Sequence, residues 1–178
     1  MFGATPNTQT IRPHLARVNT LDPVKDFTPL TSLAEPTIVI VANPAFPPNN
    51  LKDLIEYAKA NPGKLSYATS GIGSSHHLSE RRSTEWPEVG IVSEAVPGFE
   101  KPSSWTGLLG PGAMAPALAR RIAADVVKTM NEPKTKARIE GADFTVRGNT
   151  PEEFAAQLRR ETELVGRIVK TAGIQPTE

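Results

Sequence analysis

Residues 37–42 read Thr-Ile-Val-Ile-Val-Ala, a nearly all-apolar, β-branched run bounded by Pro36 and Pro44. β-Branched side chains suit a pleated backbone, and a run without polar alternation wants cover on both faces, as in a parallel sheet. A helix signal follows. Asn50 is placed to cap it with Asp53 as capping-box partner, and Leu51, Leu54, Ile55 and Ala58 fall at i, i+3, i+4 and i+7. Asn61-Pro62-Gly63 stops the helix, and residues 65–69 form a second apolar run. Strand, helix and strand over this length predict a right-handed βαβ unit, and so an α/β fold with a parallel sheet.

The second run leads into Ser70-Gly71-Ile72-Gly73-Ser74-Ser75-His76-His77-Leu78. Gly71 and Gly73 let the backbone turn sharply and approach a ligand, and Ser74 or Ser75 can cap a helix that continues through His77. The first N–H groups of a helix lack internal partners and sit at the positive end of its dipole, which is the chemistry of a carboxylate or phosphate cradle. In open parallel sheets ligands lie outside the carboxyl ends of the strands, where Ser70–Ser75 falls. The same residues also read as an ordinary strand-to-helix turn with a serine cap. His76 and His77 are adjacent and so point in different directions on a helix, without the i, i+4 spacing of a two-histidine metal site. One of them can touch a ligand; capping or surface placement is the alternative.

Several function classes lack their signals. Lys and Arg number 20 against 19 Asp and Glu, for a formal net charge of +1. With the two signs interspersed there is no basic stripe for nucleic acid. No apolar run is long enough to span a bilayer, and the start has no basic region followed by an apolar one, so no signal peptide is expected and the chain as written would be cytoplasmic. Cys is absent, which removes disulfides and thiolate metal sites. No Gly-x-Ser-x-Gly elbow, His-Glu-x-x-His, Walker loop or dinucleotide fingerprint occurs, so neither an enzyme nor a cofactor is expected.

The remaining chain alternates loops and helices. Residues 4–10 read as a polar loop, and residues 11–18 as a helical turn or two. Asp22-Pro23 is a turn signal. Residues 105–109 form a candidate strand, with Trp105 read as core. Pro116 is a good first helical residue, and Leu118, Ile122, Val126 and Met130 define an apolar face. Residues 134–140 are a short helix stopped by Gly141, and residues 144–146 a short strand. Thr150-Pro151-Glu152-Glu153 is a full helix-start signature, followed by Phe154, Leu158, Val165, Ile168, Val169 and Ala172 on one face.

Taken together, these pieces resemble the substrate-binding proteins of tripartite tricarboxylate transporters, the Bug family. The resemblance rests on Asp22-Pro23-Val24-Lys25-Asp26-Phe27, residues 51–65 and residues 67–78. It continues through residues 87–95, Pro97-Gly98-Phe99, residues 104–111, Thr150-Pro151-Glu152-Glu153-Phe154 and residues 169–173. The matches run in family order over nearly the whole chain.

The resemblance implies a periplasmic-binding-protein-like (type II) α/β fold of two parallel-sheet lobes, here incomplete. It implies a small organic anion, a di- or tricarboxylate, held by backbone N–H groups and hydroxyls from both lobes, and delivery to membrane permease subunits. Residues 1–36 would be a first-lobe segment, 37–82 a partial second lobe carrying the anion-binding turn, and 83–178 the C-terminal first-lobe segment. The implied ligand residues are Thr5, Asn7, Thr8, Ser70, Gly71, Gly73, Ser74, Ser75 and His77; for Thr5, Asn7 and Thr8 a solvated loop is the alternative. The family location is periplasmic. Against the family pattern the chain is N-terminally shortened and internally deleted after residues 78–80. Weakened binding is therefore expected, and the competing expectation is a non-binding domain that self-associates through uncovered strand edges, a homo-oligomer.

Overall fold

A computed structural model describes residues 1–16, 22, 25–36, 41–66 and 103–171, and of Asn7 only the backbone. The chain forms two compact units: Met1–Pro36 with Pro102–Glu178, and Thr37–Lys101.

The first unit is built on a four-stranded sheet of order β1-β3-β2-β4, from β1 (Phe2–Ala4), β2 (Phe27–Pro36), β3 (Thr106–Pro111) and β4 (Phe144–Val146). Phe2 pairs with Leu109, Thr28 with Gly110, and Ala34 with both Thr106 and Val146. All three ladders are antiparallel, where the sequence pointed to parallel lobes. The register gives the reason. The chain leaves this unit after Pro36 and re-enters at Pro102, and the start of β3 lies beside the end of β2 at Ala34–Thr106. Exit and return at one end of a strand pair make the pair antiparallel.

β2 is the strand that periodicity hides. Pro29 and Pro36 fall within it, and its register shifts between Pro29 and Thr31 and between Ser32 and Ala34. Such bulges break the period-2 alternation. Leu30, Thr31 and Ser32 are buried in succession, which requires cover on both faces of the strand.

Three helices complete this unit's C-terminal part: α3 (Pro116–Met130), α4 (Pro133–Glu140) and α5 (Pro151–Thr171), numbered after α1 (Arg12–Leu15) and α2 (Leu51–Ala60). Both α3 and α5 pack on β2. α3 begins with Pro116 in its first turn as expected. Its buried stripe, however, is Ala119, Ala123 and Met130, while Leu118 is 49% exposed. The two alanines allow a closer approach to the sheet than a leucine row would. Gly141 ends α4 in a right-handed conformation, and the left-handed residue is Asp143, at φ 60°. Aspartate tolerates that region better than most side chains.

The core joins β3 to α5. Trp105 and Phe154 meet edge to face at 5.0 Å between ring centroids, with Ala4, Leu109 and Leu158 around them. Burying an aromatic of this size contributes about 1.5–3 kcal/mol. Gly107 makes the contact possible, since a Cβ there would stand 2.6 Å from Cζ of Phe154.

In the Thr37–Lys101 unit, α2 forms as its sequence predicts. Asn50 Oδ1 accepts from the Asp53 N–H at 2.9 Å, and Asn50 Nδ2 donates to Asp53 Oδ2 at 2.8 Å. Phe46 packs edge-on against Tyr57 at 5.2 Å. The two strands expected at 37–42 and 65–69 lie largely outside the described residues; Val41, Ala42, Leu65 and Ser66, which are described, are not in strands.

Candidate functional site

The segment between β1 and α1 was expected to be a polar loop. It is a π-helical turn over Asn7–Ile11, leading directly into α1. Gln9 and Thr10 are buried beneath it, and Thr10 Oγ1 donates to Pro6 O at 3.1 Å. The polar letters misled because two of them, Gln9 and Thr10, are buried, and the Thr10 hydroxyl satisfies a backbone carbonyl there. Thr8 donates its N–H and its hydroxyl to Thr5 O, at 3.2 and 3.0 Å. The hydroxyl oxygen keeps acceptor capacity, and rotating its hydrogen toward an anion would break one local bond. Ser70, Gly71, Gly73, Ser74, Ser75 and His77 lie outside the described residues.

A second polar constellation stands on α5. Thr150 caps the helix: its Oγ1 accepts from the Glu153 N–H at 3.2 Å, while the Thr150 N–H donates to Glu153 Oε2 at 2.8 Å. This is the reciprocal box read from the sequence. Those backbone and hydroxyl donors hold the Glu153 carboxyl below its ordinary value. Glu152 is lowered too, first by a backbone N–H and then by Arg120, whose Nε lies 2.8 Å away.

Two turns further on, Glu161 is buried. It accepts from Ser103 Oγ, from Trp105 Nε1 at 2.7 Å and from Gln157 Nε2 at 2.9 Å. Burial raises its pKa above the ordinary 4.5, against the pull of those three donors, and the charge of Glu35 adds to the rise. Sequence reasoning passed over Glu161. The signal was available: it stands between Leu158 and Val165 on the apolar face, where a charge needs partners to be buried.

Gln157 carries the network onward. Its Oε1 accepts from Asn149 Nδ2 at 3.2 Å; Asn149 Oδ1 accepts from the Ser32 N–H at 2.7 Å, and Asn149 O from Thr31 Oγ1 at 2.8 Å. Beside it Arg147 pairs with Glu35 at 2.6 Å. Ser32, Glu35, Arg147, Gly148, Asn149, Glu153 and Gln157 line an open polar cleft. Gly148 has φ +117°, with Val127 closing over it. Ser32 Oγ is buried with no hydrogen-bond partner among the described residues, so none of those residues is placed to activate it as a nucleophile. Among the described residues no group of three or more His, Cys, Asp or Glu could hold a metal, and no helix is long and apolar enough to cross a membrane.

Residues 2–81 match the family described as the tripartite tricarboxylate transporter family receptor, TctC. A UPF0065 protein of Bordetella pertussis is 46% identical over 74 residues, which are 39% of this chain and 21% of the relative. A UPF0065 protein of Pseudomonas sp. strain P51 is 24% identical over 201 positions, covering 78% of this chain and 59% of the relative. The chain thus spans between about a fifth and three fifths of these curated relatives. The second alignment is longer than this 178-residue chain, so it holds gaps on this side, in line with the expected internal deletion. Among solved structures, the fold matches an R. palustris protein with adipate at a TM-score of 0.81 and 19% identity, over 98% of this chain and 78% of that one. It matches the periplasmic binding protein BugD at 0.78 and 20% identity, again over 98% and 78%. MatC from Rhodopseudomonas palustris with bound malate matches at 0.73 and 18%, over 94% and 78%. These likenesses establish an α/β periplasmic-binding-protein fold.

Proposed function

We propose that the chain, whose residues 2–81 match the tripartite tricarboxylate transporter receptor family, is an extracytoplasmic solute-binding protein for small di- and tricarboxylates. The family match carries the proposal, because it includes the Gly71 and Gly73 turn and the Thr5–Thr8 segment. Adipate and malate in two proteins of the same fold favour the dicarboxylate class. The proposed contacts are the N–H groups and hydroxyls of Ser70, Gly71, Gly73, Ser74 and Ser75, with Thr5, Asn7, Thr8 and His77. Were this stretch a helix start, as its sequence suggests, it would hold a carboxylate without any covalent step. The chain would work in the periplasm and hand its ligand to membrane permease subunits. Binding rather than catalysis also suits the described residues, where the buried carboxylate and the cleft hydroxyl lack the geometry of a nucleophile and its base.

A thermal-shift screen over organic acids tests the reading. A ligand that binds only the folded chain stabilises it by about 2.7 kcal/mol at a hundredfold excess over its dissociation constant. Malate, adipate or a tricarboxylate should raise the melting temperature, and Gly73→Val should abolish the rise. A shift that survives Gly73→Val would move the site elsewhere.

Self-association is the second reading, favoured by β1. This strand is the end strand of the described sheet, and Phe2 on it is 54% exposed. A free strand edge can pair with another chain. A sizing column separates the readings: a carboxylate-binding monomer supports the first, and an oligomer that ignores carboxylates supports the second.

A further inference from the structure

Only two connections join the first unit to the rest of the chain, at Pro36–Thr37 and at Lys101–Pro102. Glu35 stands just inside the first, and Ser103 just inside the second. Each is tied to the C-terminal part of the unit. Glu35 is paired with Arg147 at 2.6 Å, and Arg147 also donates its backbone N–H to Leu33 O at 2.9 Å. Ser103 donates to Glu161 and accepts from Gln157 Nε2 at 3.1 Å. The two ties share one framework. Gln157 holds Asn149, and Asn149, two residues after Arg147, holds Thr31 and Ser32 on β2. Strand pairing brings the same two places together again, through Ala34 and Thr106.

We infer that the Glu161–Gln157–Asn149 network is a clamp that fixes both points where the chain passes between its two units, with Glu161 and Gln157 as positioning residues. The inference is independent of what the protein binds. Its physical basis is the cost of burying a carboxylate: Glu161 is tolerated only while its donors stay in place, so Ser103 and Trp105 are held where β3 begins. A network of this kind ties its members together, so loosening one end should be felt at the other.

Amide hydrogen exchange on the full chain tests it, read at residues 31–35 and 103–106. Ser103→Ala removes one donor without adding bulk, and Arg147→Met breaks the tie to Glu35. Arg120→Met is the control, since it breaks an exposed pair between Arg120 on α3 and Glu152 on α5, the helix that carries Glu161, and touches neither connection. Ser103→Ala should speed exchange at 103–106 by about ten- to a hundredfold, the worth of a hydrogen bond to a charged group. It should also speed exchange at 31–35 by a smaller factor, and Arg147→Met should do the reverse. Arg120→Met should leave both stretches unchanged. Effects confined to the near end in both variants would overturn the clamp, and so would equal loss of protection at both ends in the control, which would mark general loosening of the helix.

Discussion

Glu153 and Glu161 lie on the same helix and are held in opposite ways. Glu153 is exposed in the first turn of α5, where free N–H groups and the positive end of the helix welcome a carboxylate. Glu161 is buried on the apolar face, where the charge is tolerated only because three donors converge on it. One lowers the pKa of its carboxyl through Thr150, and the other has its pKa raised by burial. The first starts a helix; the second joins that helix to β3 and, through Gln157 and Asn149, to β2. Position on the helix decides which task a glutamate performs.

The largest expected effect is at the buried end. Glu161→Ala leaves Trp105 Nε1 and the Ser103 hydroxyl without their acceptor, and should cost about 3 kcal/mol, since each stranded buried donor costs about 1–3 kcal/mol. Urea denaturation of the two proteins checks it, and an indifferent variant would mean that water replaces the carboxylate.

The next effect is on pH dependence and separates the two carboxylates by sign. Burial, reinforced by Glu35, raises the folded-state pKa of Glu161. As pH climbs from the ordinary carboxylate value to the folded one, the unfolded chain gives up this proton first, so stability falls across that window. Glu161→Gln should remove the fall, so its stability advantage over the native chain should grow as pH rises. Glu153 behaves in the reverse sense: its contribution is present above the ordinary value and is lost as pH drops through its lowered one. Denaturation midpoints from about pH 3 to about pH 7 distinguish them. A native profile parallel to that of Glu161→Gln would contradict the assignment.

A smaller effect belongs to the cap. Thr150→Ala should cost about 1 kcal/mol, the usual worth of a side-chain cap, and should leave exchange at 103–106 unchanged. Its melting curve and exchange map together sharpen the contrast with Glu161.

The exposed end was legible in the sequence, and the buried end was not, for a physical reason. Caps and helix starts depend on neighbouring residues, so Thr150-Pro151-Glu152-Glu153, Asn50 with Asp53, and Pro116 all announce themselves. Glu161 depends on Ser103 and Trp105, far away in sequence, and only an interruption of the apolar stripe hinted at it. β2 stayed hidden because two prolines and two register shifts erase alternation. The π-helical turn at Asn7–Ile11 reads as a loop because its run of polar letters hides that Gln9 and Thr10 are buried. α3 presents alanines rather than its larger Leu118 because close packing against the sheet outweighs side-chain size. Of the candidate anion site, the fold describes Thr5 and Thr8, where Thr8 donates its N–H and hydroxyl to Thr5 O, while Gly71 and Gly73 lie outside the described residues.

Calorimetric titration of the purified chain with malate, adipate and a tricarboxylate decides whether it binds carboxylates. Saturable one-to-one binding of at least one of them is expected by about millimolar concentration, about −4 kcal/mol in free energy, with its loss in Gly73→Val while the fold is retained. No binding heat for any of these acids, from a chain that is folded by its melting transition, would contradict it.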